Sequence, residues 1–240
     1  MTELLYFRDP ALQYAREFRA RVTKALDDWV RLDVTAFHPE GGGQPSDVGE
    51  LRWAGGSARV KYVSQKGVVK HVLEGDRPPE GAEVTGLIDW ENRYALMRMH
   101  TSQHVVSGLA HHLFGARTVG NQVGRDHSRV DLHPVKLSNE DLSTLEAAAN
   151  EAFRQGIPIR VYDEVRRALE EKLGPRVQWD RLPMAVQKLR VIEIGDVDLC
   201  PCAGTHVENT REIGRIRVLR KEGKGKETER IVYAFDDGAA

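Results

Sequence analysis

Short stretches in which apolar and polar residues alternate dominate the first third of the chain. REFRARVTKAL, WVRLDVTAF, ARVKYV and VVKHVL place β-branched and aromatic residues at alternate positions, so each reads as a strand of a β-rich unit. Asp27-Asp28 and Gln65-Lys66-Gly67 are the expected hairpin corners. Between two of these strands lies HPEGGGQPSDVGEL, where Gly41, Gly42 and Gly43 flanked by Pro39 and Pro45 predict a loop of unusual backbone freedom. DRPPEGAE at 76–83 breaks the alternation again, and a domain boundary is expected between residues 76 and 90.

Beyond Trp90 the period lengthens. Met97, Val105, Leu109 and Leu113 mark a helix over about Glu91 to Phe114, stopped by Gly115. TVGNQVGRDHSRVDLHP predicts a strand pair turning at Gly124 to Asp126. In SNEDLSTLEAAANEAFRQG, Ser138 is the expected N-cap, Glu140 and Asp141 fill the first turn, and Gly156 ends the helix. IPIRVYDEV reads as a strand, followed by a short helix near Asp163 to Leu173. LRVIEIGDVDL reads as one strand leading into CPCAGTHVENTREIG, and the tail as a hairpin with a Gly/Lys turn. The expected fold class is α+β: a small, barrel-like β-rich domain over residues 1–88, then an α+β domain over 89–240 with helices packed on an antiparallel sheet.

A chain of 240 residues, 40% hydrophobic and 30% charged, excludes collagen-like and disordered classes. At this length roughly 70 to 75% of the extended surface is buried on folding, so neither disulfide nor metal is needed merely to hold a core. Lys and Arg number 35 against 36 Asp and Glu, for a net charge of -1, which leaves no global basic field. Cys200 and Cys202 are too close together to staple a loop, which points to a reducing compartment. The start, MTELLYFRDPAL, lacks the pattern of a secretory signal. No run approaches the ~20 apolar residues of a membrane span. A cytoplasmic protein without membrane association is the expectation.

His100 and His104 stand four apart in the predicted helix, so both imidazoles project from one face at the spacing with which a helix grips one metal ion. His111 and His112 lie about two turns further on and are assigned to hydrogen bonding. Cys202-Ala203-Gly204-Thr205-His206 adds a thiolate and a third imidazole, and His100, His104, Cys202 and His206 together suit zinc. Cys200 could replace Cys202, but the spacing to His206 favours Cys202. Zinc proteases place a glutamate after the first helix histidine; here it is Thr101. The deaminase signature is absent as well. Gln103 can donate and accept hydrogen bonds but cannot act as a base. Gly41 to Pro45 lacks the Gly-Lys-[Ser/Thr] ending of a P-loop. From Arg211 to Arg230, eight basic residues face four acidic ones, and Arg217, Arg220, Lys221 and Lys224 are candidates to track phosphates.

FHPEGGGQPSDVG, IDWENRYALMRMHTSQH and CAGTHVENTREIG, in this order, resemble the AlaX proteins, free-standing relatives of the editing domain of alanyl-tRNA synthetase. The resemblance runs from about Asp33 to the carboxyl terminus and looks like the medium-length class, AlaX-M. It implies an editing domain over 89–240 and a hydrolase that removes serine, and in this class also glycine, from mischarged tRNA(Ala) while sparing Ala-tRNA(Ala), without ATP. It implies one zinc per chain on His100, His104, Cys202 and His206. It further implies that Thr35, Gly42, Gly43, Gln44 and Gln122 contact substrate, and that Thr35 and Gln103 join the metal in testing for the serine hydroxyl. Two departures are Ala203 in place of glycine and His38 in place of tyrosine, with His38 expected at the surface. Two alternatives stay open: a zinc-structured module that binds tRNA or a synthetase without hydrolysis, and editing of another tRNA such as Ser-tRNA(Thr), because threonyl-tRNA synthetases carry a related domain. The length leaves no room for a complete synthetase, and the oligomeric state is not encoded in any motif.

Overall fold

Strand alternation closes the first part of the chain into a barrel. A computed structural model describes residues 2–236 and divides into two compact units, one ending at Leu96 and the other beginning at Met97. The first opens with β1 (Glu3–Leu4), α1 (Leu5–Arg8) and a 3-10 turn at Pro10–Tyr14. Seven strands follow: β2 (Glu17–Leu26), β3 (Trp29–Leu32), β4 (Val34–Thr35), β5 (Gly49–Trp53), β6 (Gly56–Ser64), β7 (Lys70–Gly75) and β8 (Glu83–Ile88). Six of them form a closed barrel in the order β2-β3-β7-β6-β5-β8, while β4 pairs in parallel with β1. Phe18, Val22, Val30, Leu32, Phe37, Leu51, Val60 and Val84 fill its interior.

The hairpin corners fall where the turn residues stand, but β5 and β8 lie in stretches that read as loop and break. Both carry a glycine that weakens the strand signal and that the packing requires. A Cβ on Gly49 would sit 2.1 Å from the Leu87 carbonyl oxygen and 2.9 Å from the Phe37 ring, and one on Gly86 would sit 2.3 Å from the Phe18 ring. These two rings pack edge to face at 5.5 Å and occupy the volume that side chains at the two glycines would need.

The helix α2 (Trp90–Phe114) begins in the first unit and runs on into the second, ending at Gly115 with φ +67°. Then come β9 (Arg117–Gln122), β10 (Ser128–His133), α3 (Asn139–Gln155), β11 (Ile159–Val165), α4 (Arg166–Leu173), β12 (Lys188–Ile194), β13 (Asp198–Pro201), β14 (Ile216–Gly223) and β15 (Glu229–Phe235). They form two antiparallel sheets, β14-β15-β10-β9 and β11-β12-β13. The α3 ends are those the sequence predicts: Ser138 and Asp141 form a capping box, and Gly156 takes the left-handed conformation. Its Asn150 side chain accepts from the Ile216 amide and donates to the Ile216 carbonyl, both at 2.9 Å, on the outer edge of β14. Glu146 accepts from the Val218 amide of the same edge.

Two readings need correction. LRVIEIGDVDL is not one strand, because Gly195 (φ +48°) turns the chain so that β12 and β13 pair, with Ile192 opposite Cys200. The helix expected from Asp163 starts at Arg166, because β11 stays paired with β12 through Val165. Among the described residues, no helix is long and apolar enough to cross a membrane.

Candidate metal centre

His100 and His104 emerge one turn apart from a buried stretch of α2, with ring centroids 5.2 Å apart. Cys202 and His206 come from the loop after β13. That loop is held from beneath by buried Arg190 of β12, which donates to the carbonyls of Cys202 (2.8 Å) and Gly204 (3.0 Å). Gly204 turns its amide onto Cys202 Sγ at 3.4 Å. Ala203 needs no left-handed backbone, since no described residue other than glycine has positive φ, so the extra methyl leaves the loop intact.

The donor atoms of His100, His104, Cys202 and His206 all lie within 4.8 Å of one another. Cys202 Sγ is 3.6 Å from His100 Nε2 and 3.2 Å from His206 Nε2. In a tetrahedral zinc site with ordinary Zn–N and Zn–S lengths, the N to S edge is about 3.6 Å. His104 Nε2 is buried without a hydrogen-bond partner, a costly state for a polar atom unless a Lewis acid takes its lone pair. Three imidazoles and one thiolate are a donor set of the right softness for zinc, so these residues fit the ion.

Burial works against charge at His104, Cys200, Cys202 and His206. At Cys202 it is outweighed by the adjacent His100 and His206, which hold the thiol well below its usual range. His206 is pushed by burial down to about 3, which keeps its ring neutral. At His104 burial is outweighed by the hydrogen bond to Asp198 and the sulfurs of Cys200 and Cys202, and its pKa rises well above the usual value. Burial pushes the Cys200 thiol up. Cys200 lies near His104 and Asp198, outside the four-donor group.

Around the donors sits a layer of groups that no sequence spacing announced. Asp198 Oδ2 lies 2.8 Å from His104 Nδ1, and Arg176 pairs with the other oxygen of the same carboxylate. Thr101 Oγ1 donates to the Met97 carbonyl at 2.9 Å and lies 3.3 Å from His206 Nδ1. Gly108 lets the Val197 segment lie against α2, since a Cβ there would be 2.1 Å from the Val197 oxygen. His112 reaches that same oxygen at 3.1 Å and His111 the Ala116 carbonyl at 3.1 Å, the hydrogen-bonding roles expected of both.

The remaining candidates are placed as follows. Gln103, nearly buried, donates to Ser107 Oγ at 2.8 Å and accepts from Asn121 Nδ2 at 3.3 Å, so both ends of its amide are oriented. Gln122 is exposed and accepts from Arg129. Thr35 belongs to the first unit and is fully buried; its hydroxyl meets His71 Nε2 at 2.9 Å and accepts from the Phe37 amide. Gly41 and Gln44 bond each other's backbone around Gly42 (φ +60°) and Gly43 (φ +86°), and the Gln44 side chain is buried. His38 is not at the surface: it is 2% exposed and packs on the Tyr6 ring, because the loop folds inward there. Arg217, Arg220, Lys221 and Lys224 are exposed on or just after β14; Arg220 pairs with Glu222, and Lys221 donates to the Leu137 carbonyl.

Residues 8–92 match the tRNA synthetases class II (A) family and residues 189–232 the Threonyl and Alanyl tRNA synthetase second additional domain. The chain is 37% identical to the alanyl-tRNA editing protein AlaX-M of Methanosarcina barkeri, covering 99% of this chain and 100% of that protein. It belongs to the AlaX-M family. The AlaX-M protein of Methanosarcina acetivorans is likewise 37% identical, over 99% of this chain and 100% of its own length. An alanine–tRNA ligase from Pyrobaculum arsenaticum is 38% identical over 97% of this chain, which spans 27% of that ligase. The stretch that matches AlaX-M along its whole length therefore also matches about a quarter of a tRNA ligase.

Proposed function

We propose that this chain is a trans-editing aminoacyl-tRNA deacylase that hydrolyses Ser-tRNA(Ala) and Gly-tRNA(Ala) and spares Ala-tRNA(Ala). The observation that carries the reading is the four-donor cluster with His104 Nε2 buried and unbonded, in a chain that matches AlaX-M proteins end to end. His100, His104, Cys202 and His206 would hold one zinc ion, which when bound supplies Lewis-acid polarisation to an ester already activated for hydrolysis. The protein's own residues do the selecting. Gln103, its amide fixed by Ser107 and Asn121, is assigned to meeting the serine hydroxyl with its remaining hydrogen-bonding capacity; alanine would leave that capacity unmet, the basis of discrimination. Thr35, whose hydroxyl is shared between His71 and the Phe37 amide, is assigned to shaping the segment that leads into the glycine turn. Arg217, Arg220, Lys221 and Lys224 are assigned to the tRNA backbone. The chemistry needs no ATP, and mischarged tRNA(Ala) is the partner in solution.

The test is release of amino acid from Ser-, Gly- and Ala-tRNA(Ala) by the wild type, a chelated sample and a folded His104→Ala variant. Metal-dependent loss of serine with alanine spared is the expected result. No release from any of the three by a folded, zinc-loaded protein would leave a non-catalytic tRNA- or synthetase-binding module, or an editor of another tRNA such as Ser-tRNA(Thr), as the reading. Within the same assay, Thr35→Val with unchanged rate and unchanged preference would remove Thr35 from the mechanism.

A further inference from the structure

Two of the three imidazoles in the cluster have their far nitrogen engaged by a group that can only accept. The Asp198 carboxylate is ion-paired with Arg176 through one oxygen and accepts with the other, so at the 2.8 Å contact His104 Nδ1 carries the hydrogen. Thr101 has a single hydroxyl hydrogen, and it goes to the Met97 carbonyl; toward His206 Nδ1, and toward the Val207 amide at 3.2 Å, its oxygen can only accept. With Nδ1 carrying the hydrogen in each neutral ring, Nε2 is the atom that bears the ring's lone pair, and His206 Nε2 lies 3.2 Å from Cys202 Sγ.

We infer that Asp198 and Thr101 are positioning residues that fix the tautomer and ring orientation of His104 and His206, presetting two Nε2 donors for a metal ion. Thr101 fills the position where zinc proteases carry their catalytic glutamate, and here it serves a ligand instead of the substrate. The Asp198 arm is braced twice more: Arg176 holds the carboxylate, and Gly108 allows Val197, the residue before it, to rest against α2 one turn beyond His104. Groups of this kind contribute about 10- to 100-fold to metal affinity in other proteins. The inference rests on the metal reading above.

Its test is zinc affinity, measured by competition with a chromogenic chelator on the full chain, with metal-free melting curves recorded for each variant. Asp198→Ala and Thr101→Val should each weaken zinc binding about 10- to 100-fold. Thr101→Ser, which keeps the accepting oxygen, should retain wild-type affinity. Nitrogen-15 spectra of the zinc-loaded wild type should show His104 and His206 coordinated through Nε2 and protonated at Nδ1. Folded Asp198→Ala and Thr101→Val proteins that bind zinc within twofold of wild type, or coordination through Nδ1, would overturn the inference and leave the metal reading standing. A wild type that takes up no zinc would overturn both. Should either variant fail to fold, the wild-type spectrum and Thr101→Ser still decide.

Discussion

The guanidinium of Arg93 and the carboxylate of Asp47 meet with both side chains wholly buried, Nε lying 2.8 and 2.9 Å from the two carboxylate oxygens. The same guanidinium donates to the carbonyls of Gln13 at 2.8 Å and Ala36 at 2.6 Å. One side chain thus ties together the amino-terminal turn, the strand exit before the glycine segment and the start of α2. Removing either partner strands the other as a buried, uncompensated charge. Arg93→Ala or Asp47→Ala should cost the first unit about 3 to 5 kcal/mol, whereas replacing both with apolar residues of similar volume should recover much of the loss. Urea unfolding of the single and double variants measures this directly.

His71 is buried between Thr35 and the Val30 carbonyl with the Phe37 ring against it, and burial lowers its pKa to about 4. The unfolded chain binds that proton near 6.5, so between about 6.5 and 4 it takes up protons that the folded chain refuses. Stability should therefore be full above that window and fall as the pH drops through it, by up to about 3 kcal/mol. Melting temperatures from pH 7 to 4 should show this slope in the wild type and a shallower one in His71→Gln, the remainder including His206, whose folded pKa is also lowered.

Three glycines of one turn separate strain from space. Gly42 and Gly43 both have left-handed backbones, and a Cβ on Gly42 would meet nothing within 4 Å, while Gly41 has no positive φ and a Cβ there would meet only the Pro39 oxygen at 4.0 Å. Gly43→Ala should cost about 1 to 2 kcal/mol, and Gly41→Ala less than about 0.5. If Gly41→Ala is stable yet loses editing, the turn itself meets the ligand.

Gly108→Ala should do more than destabilise. The new methyl would collide with the Val197 oxygen and push away the residue preceding Asp198. Zinc affinity should fall along with the melting temperature, in contrast to Ser138→Ala at the α3 cap, which should cost about 1 kcal/mol and leave zinc binding unchanged. Chelator competition and thermal melts on the two variants separate the effects.

The four donors were legible in the sequence because helical and loop spacing place such residues within reach of one ion, and α3 was legible because its caps are local. Asp198, Arg176, Thr101 and Arg190 were not, since each acts across contacts between separate elements that no short pattern encodes. Asp47 and Arg93 show the same limit from another side. Both stand inside the stretches FHPEGGGQPSDVG and IDWENRYALMRMHTSQH that carry the family resemblance, yet nothing in either stretch says that the two charges are partners. β5 and β8 were obscured by Gly49 and Gly86, residues chosen for the bulk of Phe18 and Phe37 opposite them.

The pairing of Asn150 with the edge of β14 bears on self-association. An outer strand offers its free backbone groups to any passing strand, including one from a second copy that is partly unfolded. Here a single side-chain amide occupies both the donor and the acceptor of Ile216, as a neighbouring strand would, and Glu146 takes the Val218 amide. The sheet is closed at that point by a helix, so the exposed cations Arg217 and Arg220 can face an anionic partner while the backbone beside them is withheld from fibril-like growth.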